Sequence, residues 1–186
     1  QLHPWKKWSL TDITRIPMGH SVSSTVLQMH QAMAVIAADG VLLRPQVVRE
    51  IRDEHGEVIY HYDRQEIGRA VSPETARKVA LMLTGVTRDG GTAMEAAIAG
   101  FDVAGKTGTS QKLDAEGRYS HSNFISSFTG FVEAGGRVVT ITVSIDDPKP
   151  VYYGGVVAAP LFAKTAQGIL DYWQLGDAAD DKSASG

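Results

Sequence analysis

From Phe101 to Thr109 the chain alternates: Phe101, Val103, Gly105, Thr107 and Thr109 fall on one side, Asp102, Ala104, Lys106 and Gly108 on the other. Helix propensity disfavours the Thr-Gly-Thr that follows the lysine, so the pattern predicts a strand with lysine at its centre. Residues 123–132 and 137–145 are also strand-like, and Glu133-Ala134-Gly135-Gly136 is a tight connection between them. The last third of the chain therefore predicts an antiparallel meander. Residues 113–121, between its first two strands, are polar and contain glycine, and predict an exposed loop. Phe124 and Phe128 share a face of the central strand and predict core.

The rest of the chain supplies mostly helices. Val22, Val26, Met29, Met33 and Ile36 recur at helical spacing, with Ser21, Ser23 and Ser24 as candidate N-caps and Gly40 as a left-handed stop after Asp39. Ser72-Pro73-Glu74 reads as cap, first helical position and first-turn acid, ahead of a stripe of Ala76, Val79, Ala80 and Leu83. A short helical turn covers Ala93 to Ala99, and Phe162, Ala166, Ile169 and Trp173 predict a last helix with Pro160 near its start. Residues 46–51 and 57–62, joined by Asp53-Glu54-His55-Gly56, predict a β-hairpin. The fold class expected is α+β, an antiparallel sheet flanked by helices over residues 1–175, with 176–186 a disordered tail because it lacks apolar content.

Composition removes several functions. A net charge of −3 and a pI near 6.1, with scattered basic residues, give no electrostatic footprint for nucleic acid. The absence of cysteine excludes disulfides, thiolate nucleophiles and cysteine-bound metal, and the histidines share no ligand spacing, so no metal or other cofactor is expected. No run of residues is long and apolar enough to cross a bilayer. Tyr152, Tyr153, Trp5 and Trp8 are read as packing residues. The chain opens Gln1-Leu2-His3 with neither an initiator methionine nor a signal pattern, and is expected to be cut from something longer.

Two chemistries compete for the lysine segment. Gly100, Gly105, Lys106 and Thr107 satisfy the spacing of a phosphate-binding P-loop, and the apolar run from Val138 to Asp146 imitates the strand that carries a magnesium-binding acid. A P-loop, however, needs a strand before its first glycine and a helix starting at the lysine, so that backbone N–H groups surround phosphate. Here the preceding segment is alanine-rich and the following one is Thr-Gly-Thr-Ser. The strand reading is preferred, and a nucleotide-binding domain is the alternative.

With Lys106 on a strand, a wider set of motifs falls into place. Gly90-Gly91-Thr92-Ala93, Val103-Ala104-Gly105-Lys106-Thr107-Gly108-Thr109, Phe128-Thr129-Gly130-Phe131, Tyr153-Gly154-Gly155 and Ala159-Pro160-Leu161-Phe162 follow one another in an order that resembles class B penicillin-binding proteins, the peptidoglycan D,D-transpeptidases of division and elongation. Gly19-His20-Ser21 through Met29 looks like the family's segment entering a helix behind the active site, so the likeness runs from about Trp8 to Trp173. It implies the C-terminal part of a serine β-lactamase-like transpeptidase domain. It also implies ligands: a stem peptide ending in D-alanyl-D-alanine, or a β-lactam. Lys106 would neutralise the ligand's carboxylate and polarise a hydroxyl, Thr107 and Thr109 would hydrogen-bond it, Gly108 would let it approach, and the Thr109 N–H would be one oxyanion donor. Because Lys106 and Thr107 alternate, both can serve one ligand only along the edge of an edge strand.

The family's Ser-x-x-Lys and Ser-x-Asn motifs are absent from this sequence. The threonine look-alikes Thr75 to Lys78 and Thr109 to Lys112 are coincidences of spacing. The resemblance therefore implies a chain that supplies the lysine strand without the serine, a missing upstream half as partner, inactivity in isolation, and an extracytoplasmic location with the membrane anchor elsewhere. It further implies that Val138 to Ile145 presents an apolar, weakly charged edge open to dimerisation or aggregation.

Overall fold

The computed structural model describes residues 4–20 and 22–175. The Ser21 cap candidate and the 176–186 tail lie outside the described residues. The elements run α1 (Asp12–Arg15), α2 (Val26–Ala37), β1 (Val41–Leu43), β2 (Glu50–Arg52), β3 (Val58–His61), β4 (Glu66–Arg69), α3 (Pro73–Thr84), β5 (Val103–Leu113), β6 (Tyr119–Ala134), β7 (Arg137–Asp146), α4 (Gly154–Val157) and α5 (Ala159–Tyr172), with a 3₁₀ turn at Met94–Ala96.

The predicted meander forms, with strand order β5-β6-β7 and antiparallel pairing throughout. Gly135 and Gly136 both take positive φ, 57° and 73°, which is the primed two-residue turn that matches strand twist, and Ala134 pairs with Arg137 across it. One sequence expectation is corrected at the other hairpin. The expected loop of residues 113–121 is shorter than the sequence suggests: β5 continues to Leu113, β6 begins at Tyr119, and the turn is the five residues 114–118. The Asp114 carboxylate closes that turn by accepting from the N–H groups of Glu116 and Arg118 at 3.0 and 2.8 Å. The ribbon is polar and largely exposed, so no hydrophobic alternation marks it as strand.

Helices cover both faces of the sheet. On one, Phe128 of β6 meets Phe162 of α5 edge-to-face, with ring centroids 4.8 Å apart, inside a core that includes Val132, Ala166 and Leu170. The buried stripe of α5 is Ala159, Phe162, Ala166 and Leu170. Leu170 thus replaces the expected Ile169, while Trp173 caps the helix and carries the Arg137 guanidinium over its ring at 5.3 Å. On the opposite face, α2 reaches β7 through His30 Nδ1 and Thr142 Oγ1, 3.2 Å apart, and the Thr87 hydroxyl after α3 donates to the Val103 carbonyl at 2.9 Å.

Helix α3 follows its predicted cap: Ser72 Oγ accepts from the Thr75 N–H at 3.1 Å, and Ala76 is fully buried. Helix α2 starts later than predicted. Val22 lies outside it, and neither Ser23 nor Ser24 caps it. Thr25 does, in a reciprocal capping box with Gln28. Asp39 and Gly40, at φ 52° and 89°, make the predicted left-handed stop. The β2–β3 hairpin is present but short, residues 46–49 are not strand, and the β1–β4 pair was not foreseen because its strands lie far apart in sequence. Trp5 is exposed, and Phe124 is only half-buried, against the packing expected of each.

Candidate functional site

Strand β5 is an edge of the sheet, and Lys106 sits opposite Thr129 in its middle, Thr107 opposite Phe128, Gly108 opposite Ser127 and Thr109 opposite Ser126. This removes the phosphate-loop alternative, because the backbone from Gly105 to Thr109 is extended and paired and no helix begins at the lysine. The edge geometry required by alternation is present. The Lys106 ammonium wraps round the strand and donates to the Thr107 carbonyl at 3.1 Å, with Thr107 Oγ1 at 3.4 Å. Lys106 and Thr109 are exposed, Thr107 and Gly108 half-buried.

Glycines allow the surrounding segments to close on this strand. A Cβ on Gly105 would stand 2.4 Å from the Phe128 ring, so β5 lies flush on the core where the lysine leaves it. A Cβ on Gly154 would stand 2.4 Å from the Ser127 carbonyl oxygen and 2.6 Å from that of Gly108, and one on Gly155 would stand 2.0 Å from the Thr92 carbonyl oxygen. The start of α4 can therefore lie against both β5 and the Gly90-Gly91-Thr92 segment only without side chains at these positions. Two polar contacts join the three pieces: the Gly154 N–H donates to Thr109 Oγ1 at 3.2 Å, and Thr92 Oγ1 lies 3.3 Å from Thr107 Oγ1.

Thr92 and Gly154 were visible in the sequence only as motif likeness, not as site residues. Their spacing from Lys106 carries no periodic signal, since a turn and a strand crossing separate them.

Beyond Thr109 the wall is aromatic. Phe124 stacks on Tyr152 at 4.0 Å and 7°, and the Tyr152 and Tyr153 rings are 4.7 Å apart. Tyr153 is exposed, so its packing role is corrected; the neighbouring Tyr153 phenol raises the Tyr152 pKa above its ordinary value. The loop that carries this wall is held by charge. Lys149 Nζ donates to the Ser122 carbonyl and pairs with Asp147 at 2.9 Å, while Lys112 bridges from β5 to Asp146 of β7 at 2.7 Å. The Lys149 ammonium paired with it keeps the Asp147 carboxyl below its ordinary range, and the hydrogen bond to Asp146 keeps the Lys112 ammonium above its own. Among the described residues no group of histidine and acidic side chains is arranged to hold a metal ion.

The family model for the penicillin binding protein transpeptidase domain matches residues 3–167. The chain belongs to the class B penicillin-binding protein transpeptidase family. Among curated relatives, it is 33% identical over 171 residues to the probable peptidoglycan D,D-transpeptidase PenA of Neisseria flavescens, a match covering 91% of this chain and 40% of that protein. It is 32% identical over 172 residues to the peptidoglycan D,D-transpeptidase FtsI of Escherichia coli K12, covering 91% of this chain and 27% of the relative. Among solved structures, apo penicillin-binding protein 3 of Mycobacterium tuberculosis superposes with a TM-score of 0.80 at 29% identity, over 93% of this chain and 41% of that one. The same protein has been crystallised with ampicillin and with aztreonam. The penicillin-binding transpeptidase fold expected from the sequence is thereby established, and this chain spans less than half the length of these relatives.

Proposed function

We propose that this chain forms the lysine-strand side of a peptidoglycan D,D-transpeptidase site, binding the carboxylate of a D-alanyl-D-alanine stem peptide or of a β-lactam along the open edge of β5. The observation that carries the reading is the Lys106 ammonium gathered round that edge beside Thr107, in a chain of this family. An ammonium beside a threonine hydroxyl suits a carboxylate, because charge-assisted hydrogen bonds are the short, strong ones. Thr109 closes the row, Gly108 keeps the approach open, and the Thr109 N–H serves as one oxyanion donor when the ligand carbonyl becomes tetrahedral. The reaction served is acyl transfer through a serine ester. That serine, and the Ser-x-Asn motif that assists it, come from a segment outside this sequence, on the extracytoplasmic side of the membrane, in a protein of wall synthesis and cell division.

Two measurements test this. The chain alone, incubated with benzylpenicillin and examined by intact mass, gains no adduct, and a stoichiometric adduct overturns the division of labour. When the serine-bearing segment is supplied, penicillin acylation appears, and Lys106→Ala slows it at least about tenfold, in line with the roughly 1.5–3 kcal/mol of a hydrogen bond to a charged group. Acylation unaffected by Lys106→Ala overturns the role of the strand.

A further inference from the structure

We propose that Thr92 is a positioning residue for the lysine strand: its hydroxyl donates to Thr107 Oγ1 and so leaves the Thr107 O–H pointing outward, as a directed donor to the carboxylate of a ligand on the β5 edge. The proposal rests on the carboxylate reading of that edge and adds a residue to it.

A threonine hydroxyl has one hydrogen and two lone pairs. Lys106 carries only donors and stands 3.4 Å from Thr107 Oγ1, so it addresses one lone pair. Thr92 Oγ1, 3.3 Å from the same oxygen, either donates to the second lone pair or accepts the single hydrogen. A carboxylate arriving at the exposed edge is an acceptor only and claims the Thr107 hydrogen. Thr92 then becomes the donor, and the relay Thr92 to Thr107 to carboxylate has every group used in the sense it allows. Polarisation along such a chain strengthens each bond in it.

The backbone fixes Thr92 for this task more firmly than an exposed turn residue ordinarily is. The Ala93 N–H donates to the Val86 carbonyl at 2.9 Å. Gly91 presses on that same carbonyl oxygen, which would stand 2.2 Å from a Cβ placed on Gly91, and Gly155 presses on the Thr92 carbonyl from the other side, at 2.0 Å from its own would-be Cβ. A residue pinned between two glycine contacts presents its side chain at one height on β5, level with Thr107.

The experiment compares the chain with Thr92→Val, which keeps the branched shape and removes the hydroxyl, and with Thr92→Ser, which keeps the hydroxyl. Three-bond couplings of isotopically labelled protein report the Thr107 rotamer, and the Phe128 ring shifts report the fold. Titration with a D-alanyl-D-alanine-terminated tripeptide and with its C-terminal amide, read at the Thr107 and Thr109 amides, reports the preference for a carboxylate. The expected result is one Thr107 rotamer in the parent and in Thr92→Ser, rotamer averaging in Thr92→Val with unchanged Phe128 shifts, and an acid-over-amide preference that drops about tenfold in Thr92→Val alone, the size of one charge-assisted hydrogen bond. A Thr107 rotamer and an acid preference in Thr92→Val equal to those of the parent overturn the proposal. Averaging of Thr107 with the acid preference intact also overturns it, reducing Thr92 to packing. A parent chain with no preference for the acid sinks the carboxylate reading of the Lys106 edge itself and the ligand half of this proposal with it, and the couplings then decide separately whether Thr92 fixes Thr107.

Discussion

At the scale of single residues the site is built as much by glycines as by Lys106. They are not interchangeable. At Gly105 a methyl group would meet the Phe128 ring at 2.4 Å and the Thr129 carbonyl oxygen at 3.0 Å, and Phe128 is fully buried and cannot swing away. Gly105→Ala is therefore expected to lower unfolding stability by about 1–3 kcal/mol, the usual cost of overpacking, as read from urea denaturation. Trimming the obstacle in the double variant Gly105→Ala, Phe128→Leu should recover part of that loss, and two strictly additive losses would show that the contact is not the cause. At Gly108 the nearest obstacle is the Ser127 hydroxyl at 2.5 Å, a group that turns about one bond, so Gly108→Ala should cost less stability than Gly105→Ala. The sequence marked these positions as glycine within a strand pattern. Which of them faces an immovable ring was not legible, because that depends on which residue of β6 lies opposite.

At the scale of elements, the caps and the charged clasp at the end of the sheet set local stability. Thr25 is the N-cap of α2, and Thr25→Ala should cost about 1 kcal/mol, measurable as a shift in the denaturation midpoint, since it removes a side-chain acceptor from the first helical turn. The clasp makes a statement about pH. Asp147, with its pKa depressed by Lys149, contributes stability above the unfolded carboxylate value of about 3.9 and loses it as pH falls through its lower folded value. Lys112, with its pKa raised by Asp146, contributes below the unfolded lysine value of about 10.4 and loses it as pH rises through its higher folded value. The loop carrying Tyr152 and Tyr153 is thus expected to hold its place between these limits and to loosen beyond each, followed through the Gly154 amide resonance. Lys149→Met should remove the acid transition and leave the alkaline one, and an acid transition unchanged in that variant would show that Asp147 is held by something else. Periodicity predicted α3, α5 and the three strands of the meander because each buries one face. It missed the β1–β4 pair, whose partners are distant, and the outer ribbon of β5–β6, whose two faces are both polar.

At the scale of the molecule, β5 and β7 are both open edges among the described residues, yet they differ in kind. The β5 edge carries Lys106 and is flanked by α4 and the Thr92 segment, whereas β7 reads Val-Val-Thr-Ile-Thr-Val-Ser-Ile over residues 138–145, without a charge, and Val138 is 43% exposed. An uncharged apolar edge is a template for another strand. The chain by itself should associate in a concentration-dependent way in sedimentation velocity, and Val138→Lys should shift it towards monomer; sedimentation as a monomer at every accessible concentration would overturn this. Sequence by itself determined the fold class, the strand character of the lysine segment and the family, because alternation, turn glycines and the order of the glycine-rich motifs are local properties of the chain. Tertiary structure alone decided that Thr92, Thr107, Thr109 and Gly154 share one wall and that the Lys106 ammonium folds round the strand to reach it. Those contacts follow from strand register and from which backbones a missing Cβ allows to touch, and neither is written in the spacing of residues along the chain.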